Sequence, residues 1–230
     1  MLALPALYRG SPESIIGSDS RVRVDPTTTF PHRAVVLITF NAGRCTGWLI
    51  DADTVATAGH CVHPGNGGPF YPLASYEIYP GYNGSGAGPF GSCRAVRLHS
   101  VVGWTRDGND GFDYGAIKLN CDIGNRVGWL AYFWTTDSLL NFTTRISGYP
   151  GDKPLTQWVS MDFVRATDAQ RVFYKNDTLG GQSGSPVWVS WRFCKMCVLA
   201  IHAYGSNGAN NHGTRIVKAV FDNLNAWKNS

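Results

Sequence analysis

Charge is scarce in this chain. Asp, Glu, Lys and Arg make up only 16% of its 230 residues, and the net charge is +4. So modest a balance, with 43% hydrophobic residues, excludes the disordered class. The basic residues are scattered, which leaves no stripe to follow a nucleic acid, so no nucleic-acid partner is expected. Long apolar runs are missing too, so no segment is expected to span a bilayer as a helix. Residues 1–10 lack a basic start and a long apolar centre, which makes them a poor signal peptide and better suited to the end of a trimmed precursor. Helix-period patterning is confined to the C-terminus. There Ile216, Val217, Val220, Phe221, Leu224 and Trp227 share one face.

What is abundant is turn chemistry. Twenty-seven Gly and 12 Pro suit many short strands joined by loops. The length allows one large all-β domain or two small packed ones. Strands are predicted at 35–40, 47–50, 54–57, 114–119, 144–149, 157–159, 171–174, 186–189 and 198–201. Long loops with short strands are predicted over 64–91.

Six cysteines favour an oxidising compartment. Cys45 and Cys61 bracket the segment that carries His60, and Cys194 and Cys197 are close enough to close a local loop. That leaves Cys93 with Cys121, one of fifteen possible pairings. Cys194 and Cys197 also have a zinc-type spacing, but no second such pair exists, so neither metal nor cofactor is expected. Asn83, Asn141 and Asn176 match glycosylation acceptors.

The chemistry concentrates in Gly180-Gly181-Gln182-Ser183-Gly184-Ser185-Pro186. A nucleophilic serine needs an exposed hydroxyl and backbone N–H groups that hold the oxyanion formed on attack. Glycines on both sides allow the backbone to present those N–H groups together. Gly-Ser turns are common in all-β proteins, but upstream Thr57-Ala58-Gly59-His60-Cys61 offers a general base. The order His60, aspartate, Ser183 excludes the α/β-hydrolase order, and Gly181-x-Ser183-x-Ser185 lacks the second glycine of that motif. Asp107, Asp110, Asp113 and Asp122 could orient the histidine. Asp113 opens an apolar strand, where its carboxylate can be buried against the imidazole. These residues read as a serine endopeptidase.

The blocks around His60, Asp113 and Ser183 resemble the three catalytic blocks of chymotrypsin-like serine proteases. Ser14-Ile15-Ile16-Gly17-Ser18-Asp19, Ser147-Gly148-Tyr149-Pro150-Gly151-Asp152-Lys153 and the ending Phe221-Asp222-Asn223-Leu224 with Trp227-Lys228-Asn229 narrow the resemblance to the glutamyl endopeptidases. Those are mostly secreted bacterial enzymes that cut after glutamate. The resemblance covers nearly everything from Ser14 onward. It implies an all-β fold of two packed six-stranded antiparallel β-barrels with a C-terminal α-helix. Ser183 would be nucleophile, His60 base and Asp113 its orienting acid, with Gly181 and Ser183 as the oxyanion hole. It also implies a secreted protein, here expected as a monomer acting on polypeptides.

Specificity can be argued two ways. Asp177 lies six positions before Ser183, where trypsin-like enzymes keep the aspartate that binds Arg or Lys. Thr178 and His202 instead resemble the glutamate-binding pair of the glutamyl endopeptidases, and a hydroxyl with an imidazole suits a carboxylate. Gln182 carries no charge to pair with a freed amino group, so trypsin-style activation is not expected. The resemblance places the mature α-amino group on Ser14, where it would help bind the substrate carboxylate. Residues 1–13 then read as a residual propeptide, a zymogen segment removed by cleavage after Glu13. Residues 14–130 read as the first barrel and 131–230 as the second barrel with the terminal helix. A protease-fold binding module without catalysis is the rival of a different class.

Overall fold

The computed structural model describes residues 13–191, 194–205 and 209–230, with only the backbone of residue 191. Residues 1–12 of the expected propeptide lie outside the described residues. Fourteen strands are described: β1 (Val22–Arg23), β2 (Val35–Phe40), β3 (Gly43–Leu49), β4 (Thr54–Thr57), β5 (Glu77–Pro80), β6 (Cys93–Ser100) and β7 (Gly115–Leu119), then β8 (Ala131–Tyr132), β9 (Thr143–Gly148), β10 (Trp158–Thr167), β11 (Arg171–Tyr174), β12 (Pro186–Trp191), β13 (Cys194–Gly205) and β14 (Asn211–Arg215). The stripe at the C-terminus forms a helix over Lys218–Lys228 that buries Val220 and Leu224.

Six strands close the first barrel in the order β2-β3-β4-β7-β6-β5. The second ring runs β9-β10-β11-β14-β13-β12 and closes where Val187 of β12 pairs with Ile146 of β9. All ring pairings are antiparallel, and closure leaves neither barrel an open edge. This is the expected chymotrypsin-like architecture.

Both chain ends cross over. Strand β1 adds to β10 of the second barrel, with Val22 opposite Val159. The C-terminal helix returns to the first barrel. There the buried Lys118 ammonium donates to the Lys228 carbonyl at 2.9 Å, and Asn223 donates to the Tyr114 hydroxyl at 2.7 Å. Between the barrels, Thr46 Oγ1 donates to the Gly181 carbonyl at 2.8 Å and accepts from the Tyr149 N–H at 3.0 Å.

The disulfides are Cys45–Cys61, Cys93–Cys121 and Cys194–Cys197, as expected. Asn83 and Asn141 are exposed, but Asn176 is fully buried. Its amide bonds Thr144 and Ser160, so its glycosylation signal is unreachable in the folded chain. Among the described residues no helix is long and apolar enough to cross a membrane.

Candidate active site

Strand pairing brings His60 and Asp113 together. Thr57, the last residue of β4, lies opposite Gly115, the first of β7. The residues just beyond one end and just before the other must therefore meet. His60 sits in a short turn, Gly59–Cys61, anchored to β3 through the Cys45–Cys61 bond. Asp113 is fully buried. One carboxylate oxygen lies 2.7 Å from His60 Nδ1 and the other accepts the His60 backbone N–H at 2.7 Å. A carboxylate only accepts, so Nδ1 carries the proton and Nε2 of the neutral ring is basic. The alternatives are placed elsewhere. Asp107 pairs with exposed Arg106, Asp110 with Arg171, and Asp122 is exposed.

Ser183 comes from the second barrel, in the loop between β11 and β12. Gly181 and Gly184 flank it with φ of +101° and +86°, conformations open to glycine and costly for other residues. A side chain at Gly184 would also strike the Thr46 carbonyl and the Thr57 hydroxyl. The loop is tied across the cleft by the Thr46 N–H, which donates to the Ser183 carbonyl at 2.8 Å. Cys61 Sγ, beside His60, lies 3.7 Å from that same carbonyl. The Gly180 carbonyl accepts from the Gly151 N–H at 2.6 Å. Peptide planarity then turns the Gly181 N–H to the opposite side. Among the described residues no protein group accepts from the N–H of Gly181 or of Ser183.

Buried polar groups adjoin the serine. Thr178 and His202 are both fully buried; the Thr178 N–H donates to the Ser14 carbonyl at 3.4 Å, and its Oγ1 has no hydrogen-bond partner among the described residues. The side chain that reaches both Ser183 and His202 is that of Glu13. Its Oε1 accepts from the Ser183 hydroxyl at 2.8 Å and lies 3.3 Å from His202 Nε2, an ion-pair distance without hydrogen-bond alignment. Ser14 follows immediately. Asn211 pins it from both sides, accepting its N–H at 2.9 Å and donating to its carbonyl at 2.7 Å. Asp177 faces elsewhere. Its two oxygens accept from the Ile16 N–H and from the N–H and hydroxyl of Ser20, and it is buried.

A buried carboxylate on an imidazole, a serine turn with unshared N–H groups and a cleft between two barrels can together perform acyl transfer. The sequence profile of the family described as Trypsin matches residues 21–228. The chain belongs to the trypsin family. It is 47% identical over 233 aligned residues to a glutamyl endopeptidase of Bacillus licheniformis, covering 98% of this chain and 72% of that protein. A Bacillus subtilis protein named extracellular metalloprotease is 38% identical over 95% of this chain and 71% of its own. A solved structure of a Glu endopeptidase in complex with MPD superposes with a TM-score of 0.87 at 31% identity, covering 94% of this chain and all of that one. This trypsin-family chain is thus a serine endopeptidase by family.

The word metalloprotease finds no support in the donor set here. Among the described residues the one close group of metal-ligand side chains is Cys45, His60 and Cys61. Both sulfurs are in a disulfide, so neither is a thiolate ligand. Three site residues escape sequence reading: the pocket role of the Glu13 side chain, Asn211, and Tyr174 behind His202. Only Glu13 carried a signal, its place before Ser14.

Proposed function

We propose that the chain is a secreted endopeptidase that cuts polypeptides after glutamate, held as a zymogen until the segment ending at Glu13 is removed. One observation carries this reading: a glutamate carboxylate of the chain itself fits the polar pocket beside Ser183. His202 Nε2 lies 3.3 Å from it, and this reading assigns the second donor to Thr178, whose N–H donates to the adjoining Ser14 carbonyl and whose buried hydroxyl is otherwise unused. Three disulfides suit an extracellular site of action.

In this reading Ser183 attacks the scissile carbonyl while His60 Nε2 takes its proton and later returns it to the leaving amine. Asp113 holds the tautomer and stabilises the imidazolium. The N–H groups of Gly181 and Ser183 receive the oxyanion, and water releases the acyl group. Cleavage after Glu13 frees the pocket and leaves the new α-amino group on Ser14, beside Asn211, where its charge supports the substrate carboxylate. Asp177 is a poor receptor for Arg or Lys, because its oxygens already serve the Ile16 and Ser20 donors.

The test is digestion of a denatured protein mixture with the cut sites read by mass spectrometry. Cuts after Glu are expected, and His202→Ala should abolish that preference while a serine-directed fluorophosphonate still labels Ser183. Cuts after Arg and Lys would transfer the pocket to Asp177. Absence of both labelling and cleavage would favour the binding-module reading.

A further inference from the structure

Behind His202 stands Tyr174, fully buried in β11, with its hydroxyl 2.7 Å from His202 Nδ1. The strand order makes this contact possible. Strand β14 lies between β11 and β13, with Asn211 opposite Tyr174 and Gly213 opposite His202. Residues two apart share a face, so this register puts Tyr174 and His202 on the same face of the sheet. A side chain at Gly213 would strike the Ile201 carbonyl and the His202 backbone, so glycine there lets β14 lie close against β13.

The proton positions follow from the partners. The Tyr174 hydroxyl has Nδ1 as its acceptor, so in a neutral ring the hydrogen sits on Nε2, the nitrogen 3.3 Å from the Glu13 carboxylate. In the charged ring Nδ1 would donate instead, and the phenol proton would need another acceptor. Among the described residues Tyr174 has no second hydrogen-bond partner, and a buried donor without an acceptor is disfavoured. The phenol does not escape by ionising, because burial, with the Glu13 charge adding to it, holds its pKa well above the ordinary value. We infer that Tyr174 is a positioning residue that fixes His202 as a neutral imidazole with hydrogen on Nε2, so that glutamate is received by a neutral donor.

This rests on His202 being the carboxylate receptor, and the two claims fail separately. Nitrogen-15 spectra of the histidine rings in the full-length Ser183→Ala chain should show His202 at neutral pH as neutral, protonated on Nε2. A doubly protonated ring, or hydrogen on Nδ1 alone, would overturn the inference without need of a Tyr174 variant. In the active enzyme, Tyr174→Phe should lower kcat/KM for a substrate with Glu before the cut by about tenfold. The matched Gln substrate and the rate of fluorophosphonate labelling should hardly change. An unchanged Glu-to-Gln ratio in Tyr174→Phe, while His202→Ala abolishes the preference, defeats the inference alone. An unchanged ratio in His202→Ala defeats the reading beneath it.

Discussion

Asp177 and Ser20 are joined twice: one carboxylate oxygen accepts both the Ser20 N–H, at 2.8 Å, and the Ser20 hydroxyl, at 2.6 Å. With the Ile16 N–H on the other oxygen, this aspartate fastens the segment after Ser14 to the second barrel. Asp177→Ala is therefore expected to destabilise the fold by about 2 kcal/mol and to leave the choice of cleavage site unchanged. Urea unfolding and a cut-site profile read the two effects separately.

The pose of Glu13 bears on how the zymogen is processed. It is the carboxylate, not the scissile carbonyl, that meets the Ser183 hydroxyl. A molecule posed this way inhibits itself, so processing should occur between molecules and its rate should rise with enzyme concentration. Glu13→Gln should slow appearance of the Ser14 terminus by about 10- to 100-fold, followed by intact mass. A concentration-independent rate would instead place the cut within one molecule.

The chain holds only two glutamates, Glu13 and Glu77. Glu77 opens β5, paired with Thr39 of β2 and Arg94 of β6, where a protease cannot extend it into its cleft. Folded enzyme should therefore survive its own activity once processed. A reduced and unfolded Ser183→Ala chain given to active enzyme should yield 14–77 and 78–230 as principal fragments. Cuts scattered over the 14 aspartates would mean the pocket tolerates the shorter acid.

Acid should loosen the N-terminal anchor. The Arg21 side chain is fully buried, between Asp19 at 2.9 Å and Asp152 at 2.6 Å. Hydrogen bonds from Arg21 hold both carboxyls below their ordinary range. Depressed carboxyl pKa values add stability that is complete above the unfolded value near 3.9, and it is lost as pH falls through the folded values. Thermal unfolding between about pH 5 and pH 2 should show a shallower acid limb in Arg21→Met than in the parent.

Opening the Cys45–Cys61 bond by a paired Cys→Ala substitution should cost about 3 kcal/mol for a loop of this length. The bond spans a separation of 16 residues and holds the His60 turn, so activity should fall with stability. Denaturant melts alongside kcat separate the two.

Much of this was legible in the chain because apolar runs and turn residues repeat at strand spacing. The runs at 35–40, 54–57 and 171–174 are strands with those bounds. Strand β14 was not legible: Asn-His-Gly-Thr-Arg has no aliphatic residue, and it is extended because β11 and β13 flank it. Strand β6 was missed for a related reason, since Arg94, Val96 and Arg97 turn outward and dilute its pattern. At the site, the motifs around His60, Asp113 and Ser183 were readable because each is local. The Tyr174–His202 contact depends on register across three strands, which no local pattern encodes.

The crossing of the chain ends has a mechanical consequence. Each barrel is gripped by a segment that belongs, in sequence, to the other half. The link between β7 and β8 is therefore not what keeps the halves together. A single break between Asp122 and Gly128 would leave two pieces still clasped around one cleft, behaving as one particle until a denaturant parts them.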